Sequence, residues 1–297
     1  MSHARKSKLD RVALFGLLLC CSIWGLNQVA AKAGLSEIGP LWEAGLRSLG
    51  AALLVWAWAG WRGIALFERD GSLAGGLLAG SLFAAEFACI FIGLQFTTAS
   101  RMVVFIYLSP FVVALGMPFI ARSERLNLRQ MAGLALAFGA VAWAFAENFS
   151  QTSGSSLQWL GDALGVLSAL LWGGTTLAIR GSRLASCSAE KTLLYQLGIS
   201  GLALCAGALF TAEALPLIWS FRLAGLMLFQ TVVVSFASYL LWFWLVRHYP
   251  ATRLASFTLA TPLFGLVAGA LILGESITMR LWMALVALAV GIAFVNR

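Results

Sequence analysis

The chain has 297 residues, of which 61% are hydrophobic and 11% charged, with a formal net charge of +8. Soluble domains carry roughly 25% charged residues, so a water-soluble fold would lack polar surface to cover itself. Lipid is the expected solvent, with no soluble domain.

Apolar stretches of about twenty residues, long enough to cross ~30 Å of hydrocarbon, run over 11–33, 39–61, 72–96, 98–120, 128–146, 158–179, 188–212, 222–247, 251–273 and 279–296. The first follows basic residues and ends near Ala31-Lys32-Ala33, as a signal peptide would. Its apolar run is long for a signal sequence, so a first membrane helix is expected. Trp24, Gln28 and Lys32 fall on one stripe of it, with Asn27 beside them. The second span holds Glu43 and Arg47, one turn apart and able to pair directly. The third holds Glu86 between Phe83, Phe87 and Ile90, with no basic residue within four positions. Tyr107 and Pro110 lie in the fourth span, Trp172-Gly173 in the sixth and Gln196 in the seventh. The eighth carries Gln230, Ser235, Ser238 and Tyr239, and the ninth Pro262.

Threading ten helices from a cytoplasmic N-terminus places Lys32, Arg101, Arg222 and Arg280 outside and Arg47 within a span. The other fifteen of the 20 Lys and Arg residues then face inward. Positive charge concentrates in this way on cytoplasmic loops, and the longest outer loop, 147–157, has none. The net charge is therefore topological, and no nucleic-acid partner is needed to explain it. Both termini are expected in the cytoplasm. Trp61, Trp159, Trp219 and Trp282 suit the membrane interface. The glycine steps Gly71–Gly75, Gly76–Gly80, Gly161–Gly165 and Gly265–Gly269 suit close helix packing. Cys20, Cys21, Cys89, Cys187 and Cys205 show no metal-ligand spacing and read as packing residues, so no metal or cofactor is expected.

The two halves share an ordered set of residues. Trp24-Gly25 recurs as Trp172-Gly173, and Arg101, Phe105 and Pro110 recur as Arg253, Phe257 and Pro262. An acid follows each proline, Glu124 and Glu275. This divides the chain into 1–148 and 149–297, five helices each. An odd number per copy makes the second copy enter from the opposite side, the inverted repeat of secondary transporters. Pro110 and Pro262 would each interrupt a helix at matching places, making them candidate gates, although prolines are common in membrane helices.

Trp24-Gly25-Leu26-Asn27, Pro40, Arg47, Pro110 and Glu124, with Trp172-Gly173, Pro262 and Leu273-Gly274-Glu275, resemble the EamA repeat of the drug/metabolite transporter superfamily. Arg122-Ser123-Glu124 departs from it in lacking the glycine that precedes Glu275. The resemblance implies a multi-pass protein of the bacterial inner membrane that exports small metabolites, often amino acids. Length and aromatic content are similar to the aromatic-amino-acid exporters; other metabolites or drugs are the alternative cargo. A fused pair of repeats makes a monomer sufficient.

Charge inside a membrane costs roughly 2.5–3.5 kcal/mol on insertion scales, so an intramembrane ionisable residue is a functional candidate. The expected substrate site comprises Trp24, Asn27, Gln28, Glu86, Tyr107, Trp172 and Tyr239, with Glu86 as an ammonium contact or proton site. Glu43 and Arg47 form an expected ion pair, structural or part of the pathway. Arg101 and Arg253 read as interfacial anchors or caps. Gly198-Ile199-Ser200-Gly201 spells a serine-nucleophile turn, but His3 and His248 are poorly placed as bases, so an intramembrane protease is a remote alternative. A sensor or scaffold without transport would have no central cavity.

Overall fold

The computed structural model describes residues 9–97, 99–144, 146, 156–216, 218–264 and 279–296, and every regular element among them is helical. Helix α1 is Arg11–Gly34, α2 Pro40–Trp61, α3 Leu73–Gly93, α4 Ala99–Ile106, α5 Ser109–Ile120 and α6 Leu128–Ala144. After them come α7 Gln158–Arg180, α8 Ala189–Phe210, α9 Phe221–Leu228, a π-helical stretch Phe229–Ser238, α10 Tyr239–His248, α11 Ala251–Phe257 and α12 Met279–Asn296. Among the described residues, five segments are long and apolar enough to cross a membrane: Arg11–Ala31, Leu73–Gly93, Gln158–Arg180, Ala189–Phe210 and Phe221–His248. Val104–Ile120, Leu128–Trp143 and Trp282–Val295 are apolar but shorter. Phe119, Phe210 and Phe221 stand almost fully exposed, as lipid-facing side chains do.

Helix starts follow local chemistry. Asp10, Ser188 and Ser220 cap α1, α8 and α9 by accepting from backbone N–H groups, and Pro40 opens α2 where no N–H is needed. The helix expected over 98–120 is broken at Tyr107 and Leu108. Pro110 is thus not a mid-helix kink; it sits in the first turn of α5. The second half repeats the arrangement. There α11 ends at Phe257, a 3₁₀ turn spans Thr258–Ala260, and Pro262 lies second in a helical turn over 261–264. Each break thus precedes its proline by a few residues. Glu275, Gly265 and Gly269 lie outside the described residues.

The halves interleave. Helix α2 packs along α8, α6 along α12, and α3 between α7 and α8. Glycines set the closest approaches. A Cβ at Gly45 would come within 2.9 Å of the Cys205 backbone nitrogen, and one at Gly201 within 2.9 Å of that of Leu49. Gly133 and Gly291 oppose each other, each Cβ position 2.6–2.7 Å from the other's carbonyl oxygen. Such contacts let backbones meet where lipid supplies no hydrophobic drive. Gly71 is a correction: its φ of +75° makes it a turn residue before α3.

Candidate functional site

A cavity of about 90 Å³ lies between the halves. Trp24, Asn27 and Ala31 of α1 and Phe83, Glu86, Phe87, Ile90 and Phe91 of α3 line one side. Trp172, Thr175, Thr176 and Ile179 of α7, Gln196 of α8 and Tyr239, Trp242 and Phe243 of α10 line the other, with Tyr107 at the α4–α5 break. The structure therefore brings Trp24, Asn27, Glu86, Tyr107, Trp172 and Tyr239 around one space. The side chain of Gln28 lies outside the described residues.

The walls are aromatic and cross-braced. Trp24 meets Trp172, Tyr239 and Trp242 edge to face, with ring centroids 6.3, 6.0 and 5.3 Å away, distances at which ring quadrupoles attract. Tyr107 stands 5.7 Å from Trp172, and Phe83 4.7 Å from Phe87. Trp24 Nε1 donates to Ser238 Oγ at 2.8 Å. Ser238 closes the π-helical stretch, a rare conformation that recurs at functional sites.

Beside the cavity lies a buried charged cluster. Glu43 and Arg47 of α2 and Glu86 of α3 are 0%, 1% and 5% exposed. The direct Glu43–Arg47 pair expected from their spacing is replaced by other contacts. Gln230 Nε2, carried in by the π-helical stretch, donates to Glu43 Oε1 at 2.7 Å. The Arg47 guanidinium instead lies over the rings of Phe87 and Phe91, at 4.3 and 5.3 Å. Glu43 Oε2, Glu86 Oε2, Arg47 Nε and Nη1, Asn27 Oδ1 and both side-chain polar atoms of Gln196 have no hydrogen-bond partner. A Cβ at Gly34 would collide with the Glu43 carboxylate, so this glycine makes room for the acid.

Helix ends show the opposite condition. Arg101 clamps Asp162 at 2.5 Å, and Thr97 Oγ1 donates to the same carboxylate at 2.7 Å. Arg180 pairs with Glu124, whose other oxygen accepts from Ala251 N at 2.7 Å at the start of α11. Lys191 Nζ reaches Asp70 at 2.8 Å, and Arg222 reaches Glu37 at 3.3 Å. Glu213 accepts from Leu41 N at the start of α2. Each of these contacts ties the first half to the second. Hydrogen bonds from Lys191 and Ser72 hold the Asp70 carboxyl below the usual carboxylate range, and burial pushes the Cys187 thiol up.

Spacing along the sequence offered no sign of Asp162, Arg180 or Gln230 as partners. Thr175, Thr176 and Trp242 were likewise unmarked, although Thr176 sits one helical turn from Trp172. Ser200 is buried and donates to Leu197 O at 3.3 Å on its own helix, and His248 Nδ1 is engaged with Trp244 O.

The profile of the EamA-like transporter family matches residues 11–146 and again 159–297. The chain belongs to the EamA-like transporter family. It is therefore a multi-pass membrane transporter. Among relatives, the uncharacterized transporter YvbV of Bacillus subtilis is 28% identical over 92% of this chain and 88% of its own length. A probable amino-acid metabolite efflux pump of Salmonella typhimurium is 26% identical, over 89% and 88%. Its Escherichia coli namesake is 25% identical, over 88% and 87%. One crystal structure shares the fold with a TM-score of 0.80 at 14% identity, covering 96% of both chains.

Proposed function

We propose that this EamA-family protein is a secondary transporter of the bacterial inner membrane, exporting amino acids of aromatic or broad range. Ten spans in two inverted five-helix repeats, 1–148 and 149–297, would place both termini in the cytoplasm and let the halves rock about the cavity. One chain suffices for that motion. The observation that carries the reading is the cavity itself, walled by aromatic rings from both halves and fitted with a few convergent polar groups, the usual form of a small-molecule site. The two efflux-pump relatives support amino-acid cargo.

At about 90 Å³ the space is smaller than the ~150 Å³ void that takes up benzene in a protein core. Cargo with an aromatic side chain therefore enters only as the walls separate. The helix breaks before Pro110 and Pro262 are the proposed hinges, because backbone groups freed there need no helical partner. Apolar walls bind side chains at ~25 cal/mol per Å² with little shape discrimination, which suits an exporter of broad range.

Uptake of labelled Phe, Trp, Met, Thr, Lys and Glu into proteoliposomes tests the proposal. Saturable uptake competed by aromatic amino acids is expected. No uptake of any of the six would move the cargo to other metabolites or drugs.

A further inference from the structure

Two buried carboxyl groups share one buried guanidinium: Glu43 and Glu86 against Arg47. Taking an ion out of water costs several kcal/mol unless it is paired. With both acids ionised, the cluster would carry one uncompensated negative charge. Glu43 stands on the same helix as Arg47, accepts from Gln230 and does not line the cavity. One of the two acids is in excess over Arg47, and Glu86, which lines the cavity, is the one that cargo can reach.

The groups around Glu86 explain what balances it. Among the described side chains, the titratable ones that interact with it are Arg47 of α2, Cys89 of its own helix, Tyr107 at the α4–α5 break and Tyr239 of α10. From α7 and α8 the cavity receives Thr175, Thr176 and Gln196, which carry no charge. Arg47 is the one cation of this set. Three acceptors on the cavity wall lack a partner: Glu86 Oε2, Asn27 Oδ1 and Gln196 Oε1. An ammonium group has three donors and no acceptor, and it is attracted by ring faces such as those of Trp24, Trp172 and Tyr239.

We infer that Glu86 binds a proton and the ammonium group of the cargo in turn, making transport an exchange of cargo for protons. The inference rests on the cavity being the cargo site. On binding, the Glu86 carboxyl gives its proton to water and the carboxylate receives the ammonium; no bond within the cargo changes. After release on the far side, the carboxylate takes a proton from that side and carries it back. An empty site with an ionised Glu86 is disfavoured by burial, and a protonated Glu86 has no charge to hold the ammonium. Neither state leaks cargo or protons alone.

Equilibrium binding of labelled phenethylamine to the purified full chain tests this, because its ammonium stays charged between about pH 5 and about pH 8. Affinity should rise with pH, by up to about tenfold per unit where Glu86 is protonated. One proton should be released per amine bound, read with a pH indicator in weak buffer. Glu86→Gln should bind at least about tenfold more weakly with no pH dependence, and Glu43→Gln, which leaves Glu86 as the one carboxylate for Arg47, should shift the rise in affinity to lower pH. Should Glu86→Gln fail to fold, proton release by the native chain decides alone. Phenethylamine binding without pH dependence, or with the same slope in Glu86→Gln, overturns proton exchange and leaves the exporter reading intact. No binding of phenethylamine overturns this inference, and if uptake of all six amino acids also fails, the amino-acid reading falls separately.

Discussion

The ends of the molecule and its centre treat charge in opposite ways. At the helix ends, Arg101–Asp162, Glu124–Arg180, Asp70–Lys191 and Glu37–Arg222 each bridge the two halves with an opposite partner in reach. At the centre, Glu43, Arg47 and Glu86 are buried as well, yet several of their polar atoms are unpartnered. Helix α7 shows the contrast along its own length: Asp162 and Arg180 anchor its two ends to the first half, while Trp172, Thr175 and Thr176 face the cavity between them. Paired charges hold the halves together at both ends; leftover polar capacity in the middle is what the proposed cargo site would use.

Cutting an end pair should give the largest effect on stability. Glu124 and Arg180 side chains are only 8% and 2% exposed, and removing one partner leaves the other buried and charged. Glu124→Ala should therefore lose about 3–5 kcal/mol, read by thermal unfolding in detergent. A smaller loss would place the pair in contact with water. At the centre the effect should fall on transport instead. Glu86→Gln should cut amino-acid uptake at least about tenfold, some 1.4 kcal/mol, without lowering the unfolding temperature. A loss of stability in step with activity would return Glu86 to a structural role.

Smaller effects grade the same contrast. Trp24→Phe keeps the ring packing but removes the donor to Ser238, and should cost about 0.5–1.5 kcal/mol with a change in the apparent KM for aromatic cargo. Arg222→Ala breaks a pair whose arginine is 60% exposed, and should cost under about 1 kcal/mol. Asp70 gives the weakest signal and the one that depends on pH. Its carboxyl is held below the usual range, so its contribution is present at neutral pH. That contribution fades as pH falls below about 4, where the unfolded carboxyl takes up its proton. Asp70→Asn should thus differ slightly from the native chain at neutral pH and not in acid. A difference that grows in acid would contradict the assignment.

The sequence foreshadowed the centre better than the ends. Trp24, Asn27, Glu86, Tyr107, Trp172 and Tyr239 stood out because polar or indole groups in apolar text are costly unless something uses them. The partners of Glu124, Arg101 and Glu43 were not legible, since Arg180, Asp162 and Gln230 lie 56, 61 and 187 positions away and only folding joins them. Spacing of one turn suggested a Glu43–Arg47 pair, but it is blind to a glutamine arriving on another helix. The break at Tyr107–Leu108 was hidden for a similar reason: Pro110 signals that a helix is disturbed, not on which side. Nothing in Phe229–Ser238 announces a π-helical stretch, which contains neither proline nor glycine.

For export to proceed as proposed, the space between the halves must open to each side of the membrane in turn. The direct test is a single cysteine at Thr176, on the cavity wall, in a chain whose five native cysteines have been replaced and whose transport is retained. A membrane-impermeant thiol reagent is then applied from the inside and, separately, from the outside of oriented vesicles. Labelling from both faces, shifted toward one face by saturating cargo, is the predicted result. Labelling from one face only, unchanged by cargo, would contradict alternating access through this cavity.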